Sequence, residues 1–180
     1  MAFDQSLFQF IYSFAHQSGL LDAVGIFAAH YLPWVLVVLV CVKLFLEKNW
    51  KMRLYDASIV ALSVILARGV IGEAIRFFYY RPRPSILLTI QPLIAVPASS
   101  AFPSSHATVF FAIAMALFFI SRRWGAWFLV SALIMGVARV FVGVHWPIDI
   151  LGGAVIGILS AYIVKKILPP IERYREHPEA

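Results

Sequence analysis

The chain has one cysteine, Cys41, and it lies inside an apolar run, which excludes a disulfide framework and a thiolate metal site. Charge is scarce: Asp, Glu, Lys and Arg together make 13% of the residues, against 62% hydrophobic. Carboxylates are scarcest, nine in 180 residues, without the clustered pairs a magnesium site needs. No metal or other cofactor is therefore expected. No Lys or Arg precedes Lys43 and the first apolar run is too long for a signal peptide, so no cleavable leader is expected. Fixed-period repeats, low-complexity tracts and interdomain linkers are missing too. The net charge of +6 does not indicate nucleic acid, because no basic patch is interleaved with polar surface.

What fills the chain instead is apolar sequence, with a mean hydropathy of +0.85. Several near-uncharged runs reach bilayer-spanning length, which makes the chain an all-α, polytopic integral membrane protein of one domain over 1–180. Leu7, Phe8, Ile11 and Phe14 recur at helical spacing among Asp4, Gln5 and Gln9, which predicts an interfacial amphipathic helix over 3–17. Five spans are expected, over 20–46, 57–80, 104–120, 126–144 and 147–164, followed by a tail over 165–180. Pro33 should bend the first, and Pro147 suits the first turn of the last. Gly153, Gly157 and Ala161 form a small-residue ridge for close helix packing. Lys43, Lys48, Lys51, Arg53, Arg122, Arg123, Lys165, Lys166, Arg173 and Arg175 all fall on one side of this arrangement. The positive-inside rule makes that side, and the C-terminus, cytoplasmic. Trp34, Trp50, Trp124, Trp127 and Trp146 mark interfaces, with Trp146 placed to shape a pocket as well.

The remaining basic residues, Arg68, Arg76, Arg81, Arg83 and Arg139, lie within spans or in the loop on the opposite side. Topology alone gathers three polar clusters at that face: "RFFYYRPRP", "FPSSH" and "ARVFVGVHWPID". They hold Arg76, Arg83 and Arg139 as cations, His106 and His145 as titratable groups, and Asp149 as the nearby carboxylate. So many guanidinium groups with one carboxylate would be balanced by an anion, and arginine forks match phosphate oxygens. The helix start after Ser104 and Ser105 adds backbone N–H donors. Four residues before Asp149, His145 has the spacing of a nucleophile whose second ring nitrogen is held by a carboxylate. From another span, His106 could act as general acid.

These clusters resemble the three signature motifs of the type 2 phosphatidic acid phosphatase (PAP2) superfamily, which includes vanadium haloperoxidases. Arg76 with Arg83-Pro84 matches the first, Pro103-Ser104-Ser105-His106 the second, and Ala138-Arg139, His145 and Asp149 the third. The resemblance implies a PAP2/haloperoxidase-like helical core and a metal-independent phosphatase. It further implies that His145 attacks phosphorus to give a phosphohistidine, Asp149 orients it and His106 protonates the leaving group. Arg76, Arg83, Arg139, Ser104 and Ser105 would bind phosphate oxygens. Three positions depart from the pattern: Arg76 stands where lysine is commoner, Ser105 replaces glycine and Ala138 replaces serine. The short chain, the N-terminal helix and "GVHWPID" are similar to bacterial undecaprenyl-diphosphate phosphatases of the cytoplasmic (inner) membrane, whose site faces outward. Partners would then be a lipid diphosphate and membrane lipids. Family members acting on phosphatidylglycerol phosphate, phosphatidic acid or lipid A share the same catalytic residues. An anion or proton transporter is the alternative from a different class.

Other polar residues have simpler readings. His30, beside Tyr31, is expected to be packed or interfacial; Arg68 with Glu73 is expected to form a structural ion pair, the alternative being that Glu73 holds Arg76 in place. Arg81 is either a further phosphate contact or a headgroup-level charge.

Overall fold

The computed structural model describes residues 2–96 and 98–169; most of the expected tail, with Arg173, Arg175 and His177, lies outside the described residues. All regular structure among the described residues is helical. Helix α1 (Ala2–Tyr12) leads to a long helix made of α2 (Gly19–Ile26), a π-helical turn (Phe27–Tyr31) and α3 (Leu32–Phe45). The next long helix joins α4 (Trp50–Val64), a π segment (Ile65–Gly72) and α5 (Glu73–Phe78). A short α6 (Pro84–Leu87) interrupts the following loop, and α7 (Ser105–Ile120), α8 (Arg122–Phe141) and α9 (Pro147–Ile167) complete the bundle.

Four of these, Gly19–Phe45, Trp50–Phe78, Arg122–Phe141 and Pro147–Ile167, are long and apolar enough to cross a membrane. The third expected span, α7, is apolar but 16 residues long. At 1.5 Å per residue it falls short of a hydrocarbon core of about 30 Å. It occupies the middle of the bundle, with Ala107, Ala112, Ala114, Ala116 and Leu117 fully buried.

Boundaries shift for local reasons. The second long helix begins at Trp50, not 57, because the Asn49 side chain caps it by accepting the Lys51 and Met52 amides. One turn further on, Lys43 pairs with the buried Asp56 carboxylate. A π-helical turn, Phe27–Tyr31, directly precedes α3, and Pro33 stands in the first turn of α3, where a missing N–H costs little. The fourth span stops at Phe141 because Gly143 turns the chain at φ +83°, and α9 starts at Pro147 as its sequence suggests.

The small-residue ridge seats α9 against α7. A Cβ at Gly157 would stand 2.6 Å from the Thr108 carbonyl oxygen and 2.7 Å from the Ala112 nitrogen, both backbone atoms that cannot rotate aside. Gly157→Leu should therefore cost roughly 1–3 kcal/mol and lower the melting midpoint of detergent-purified protein by several degrees, measured by scanning fluorimetry.

Helix α1 is more than an amphipathic surface helix. Asp4 and Phe8 are buried against α8 and α9, while Phe3 and Phe10 point outward. The polar positions Gln5 and Gln9 are exposed as expected, but Asp4 is not.

Candidate active site

Four chain segments end at the same pole of the bundle: α5, the loop over 79–104, the α8–α9 turn and the start of α7. Gly143 makes the tight return after α8 possible, and the Val142 carbonyl accepts the Leu93 amide at 3.1 Å, tying the long loop down beside it. That turn carries His145 into the interior, where 2% of it remains exposed, and Asp149 follows on the first turn of α9 with none.

The imidazole sits between a carboxylate and a guanidinium. His145 Nδ1 is 3.4 Å from Asp149 Oδ2, an approach that does not close into a well-formed hydrogen bond. His145 Nε2 is 3.3 Å from Arg83 Nη1. Arginine can only donate, so Nε2 presents its lone pair to that side and the ring proton belongs on Nδ1, facing Asp149. Burial, then the Arg139 and Arg83 guanidinium groups, hold the His145 imidazole well below the ordinary histidine range, in its neutral form.

Arg83 is locked by its loop: Nε donates to the Ser99 carbonyl at 3.1 Å and Nη1 to the Val144 carbonyl at 2.8 Å. Arg76 Nη2 donates to the Pro103 carbonyl at 2.6 Å and to Ser105 Oγ at 2.5 Å. Arg139, buried on α8, makes one long contact of 3.4 Å to the Ala29 carbonyl. All three guanidinium groups line a cavity of about 540 Å³ that also meets Ser105, His106, His145, Arg68 and Glu73. Buried polar atoms without hydrogen-bond partners concentrate around it. Arg76 Nε, Arg139 Nε, Ser104 Oγ and His145 Nδ1 are four of the six such side-chain atoms among the described residues. Unpaired buried donors are costly; those of Arg76 and Arg139 belong to side chains that line this cavity, whereas Ser104 Oγ lies behind its wall and His145 Nδ1 faces Asp149. An anion with several acceptor oxygens is what that donor set lacks.

A second, apolar cavity of about 670 Å³ adjoins the first, running between Ile26, Pro33, Trp34 and Val37 on one side and Val109 and Phe110 on the other. Ser105, His106 and Arg139 line both, so His106 stands where the charged and greasy compartments meet.

The PAP2 superfamily model matches residues 57–173. The chain belongs to the PAP2 superfamily. This PAP2 protein is 29% identical to the undecaprenyl-diphosphatase BcrC of Bacillus subtilis (strain 168) over 158 residues, 87% of this chain and 80% of that one. It is 27% identical to phosphatidylglycerophosphatase B of the same bacterium over 160 residues, covering 83% and 73%. The crystal structure of Aquifex aeolicus LpxE superposes with a TM-score of 0.75 at 28% identity, covering 92% of this chain and 96% of that one. Membership and these relatives make the PAP2 protein a membrane hydrolase acting on lipid phosphates.

All eight site residues expected from the PAP2 motifs converge here, although Ser104 is a fully buried cap residue of α7 whose hydroxyl lies behind the cavity wall. Other expectations need correction. Asp149 is not alone as a carboxylate: Glu73, one turn before Arg76, lies 3.5 Å from Arg76 Nη1 and pairs with Arg68, and Asp4 arrives from α1. Arg81 is neither a wall of the phosphate cavity nor a headgroup-level charge; it donates to Asp149 Oδ1 at 2.6 Å and to Asp4 Oδ2 at 2.5 Å. Trp146 is buried rather than interfacial, its ring 5.1 Å from that of Phe8 and its Nε1 donating to the Pro82 carbonyl at 2.9 Å. His30 lines the apolar cavity, edge-on to Tyr31.

Proposed function

We propose that this PAP2 protein hydrolyses a polyprenyl diphosphate, undecaprenyl diphosphate, to the monophosphate and inorganic phosphate at the outer face of a bacterial cytoplasmic membrane, with its C-terminus inside. The adjoining cavities carry the reading: a donor-lined pocket takes the phosphoryl groups, an apolar channel takes the start of the prenyl chain, and His106 lies at the seam. The His145 Nε2 lone pair attacks the terminal phosphorus as the bond to the bridging oxygen breaks. The leaving electron pair goes to the lipid monophosphate, which takes a proton from the His106 imidazolium, a form that the bound diphosphate charge favours. Water then attacks the phosphohistidine, neutral His106 accepts its proton, and the P–N pair returns to Nε2. Arg76, Arg83 and Arg139 hold the equatorial oxygens, where charge concentrates during phosphoryl transfer. The N–H groups opening α7 at Ser105 and His106 add to that cradle. The basic ends of α3, α8 and α9 lie at the opposite pole, which supports an outward-facing site.

Arg68 supports a diphosphate over a monophosphate. It lines the polar cavity beyond Arg76, held by Glu73, and could turn from that carboxylate to a second phosphoryl group. Arg68→Gln is expected to lower kcat/KM for undecaprenyl diphosphate about tenfold while changing that for phosphatidylglycerol phosphate less than about twofold. Phosphate release from both lipids by the detergent-purified protein, with a chelator present, tests the assignment. Preferred turnover of phosphatidylglycerol phosphate would transfer it to the phospholipid branch of the family, and no hydrolysis of either lipid would refute it.

A further inference from the structure

Two hydrogen-bonded links run from α1 to the first turn of α9, where the site's buried carboxylate sits. Asp4 Oδ1 accepts the Ile148 amide at 2.9 Å, and Asp4 Oδ2 accepts from Arg81 Nη2 at 2.5 Å. The other arm of the same guanidinium, Arg81 Nη1, donates to Asp149 Oδ1 at 2.6 Å. Asp149 Oδ2 is left to accept the Trp146 amide at 2.8 Å and to face His145 Nδ1. Phe8 packs on Trp146, and the Arg81 guanidinium lies 5.6 Å from the same ring. Residues 4, 81 and 149 are thus joined as carboxylate, guanidinium and carboxylate, with both carboxylates buried.

We propose that Asp4 and Arg81 are positioning residues of the hydrolytic reaction, through which α1 sets both the place and the effective charge of the carboxylate that steers His145. The proposal rests on His145 as nucleophile. Arg81 uses one fork arm to fix Asp149 Oδ1, so that Oδ2, which accepts the Trp146 amide, is the oxygen that faces the imidazole. Asp4 sets how much of the Arg81 charge Asp149 feels, and by holding the Ile148 amide it steadies the turn that carries Asp149.

The two residues act on His145 with opposite signs. The groups facing the imidazole are Asp149 from α9, Arg139 from α8, Arg76 from α5, His106 from α7 and Arg83 from the loop before α6. Of these charged groups only Asp149 favours the protonated ring, and a backbone hydrogen bond with Ala101 favours it as well. Without Arg81, Asp149 keeps more uncompensated charge and His145 protonates at higher pH. Without the Asp4 charge, more of the Arg81 charge opposes protonation and His145 protonates at lower pH.

The full chain in detergent, assayed on undecaprenyl diphosphate across pH, tests this. Arg81→Gln and Asp4→Asn should each lower kcat about tenfold or more with KM within about twofold, as expected for a lost charge-assisted contact. The acid limb of kcat/KM should move up in Arg81→Gln and down in Asp4→Asn, and Arg81→Lys should recover part of kcat. If Arg81→Gln does not fold, the downward shift in Asp4→Asn decides. Wild-type kcat in Asp4→Asn, or a fall in melting midpoint with an unmoved acid limb, would overturn the positioning role. Wild type and His145→Ala run alongside. An active wild type with an inactive His145→Ala keeps the underlying reading separate, whereas an inactive wild type or an active His145→Ala overturns both.

Discussion

His145→Ala should lower turnover of the lipid diphosphate by about 10⁴-fold or more, about 5.5 kcal/mol of transition-state stabilisation. The loss is this large because His106, the other imidazole on the cavity, is committed to the leaving group and no other side chain there is a ready nucleophile. Ser104 Oγ is buried without a partner to deprotonate it, Ser105 Oγ is occupied by Arg76, and Cys41 lies on α3 at an exposed position. Binding should survive, since the guanidinium groups do not depend on the imidazole for their anchors: Arg83 is held by the Ser99 and Val144 carbonyls and Arg76 by the Pro103 carbonyl. KM should therefore change far less than kcat. Rapid quenching with substrate labelled in its terminal phosphate should trap an acid-labile, base-stable phosphoprotein in the wild type and none in the variant. The pH profile of the wild type follows from the same surroundings. The attacking form is the neutral ring, and its pKa lies below the ordinary value because burial and the Arg139 and Arg83 charges oppose protonation. As pH falls, neutral His145 persists past the usual histidine range, so kcat/KM should stay level through pH 6.5 and fall only below it. An acid limb centred above pH 7 would contradict this arrangement.

The site's motif residues were legible because a polar side chain in an apolar chain is conspicuous. Arg139, His145 and Asp149 stand out from "ARVFVGVHWPID", and helices that alternate in direction must return such clusters to one face. Pro147 and the Gly153–Gly157 ridge were legible for the same local reason: each is a residue whose backbone consequence does not depend on distant partners. Asp4 was not, because its role is set by Arg81 and Ile148, 77 and 144 residues away, and a carboxylate at the start of an amphipathic helix ordinarily faces water. Arg81 is ambiguous in the sequence on the same ground, its partners being Asp4 and Asp149. The start at Trp50 was masked by the polar run before it, although Asn49 was a readable cap. The π segments at Phe27–Tyr31 and Ile65–Gly72 leave no pattern in hydropathy, yet they flank the two cavities by placing His30 and Arg68.

Arg139→Met should reduce turnover by about 10²–10³-fold, the usual effect of deleting one donor aimed at developing charge, while leaving the ligand-free protein at least as stable as the wild type. The opposite signs have one cause. Arg139 is buried with 5% of its surface exposed, and among the described residues its Nε has no partner and its one hydrogen bond is 3.4 Å long. Arg83 and Arg76 line the same cavity, so without an anion the guanidinium is desolvated, under-bonded and close to like charges. Methionine fills much of the same volume without that cost. Phosphate reverses the balance in the wild type by supplying acceptor oxygens to the donors left open on Arg139 and Arg76. Inorganic phosphate or vanadate should therefore raise the wild-type melting midpoint in detergent and raise that of Arg139→Met much less. A variant that melts well below the wild type without ligand would mean that Arg139 serves the fold through the Ala29 carbonyl. One that keeps full turnover would mean that the charge at this position never meets the phosphoryl group.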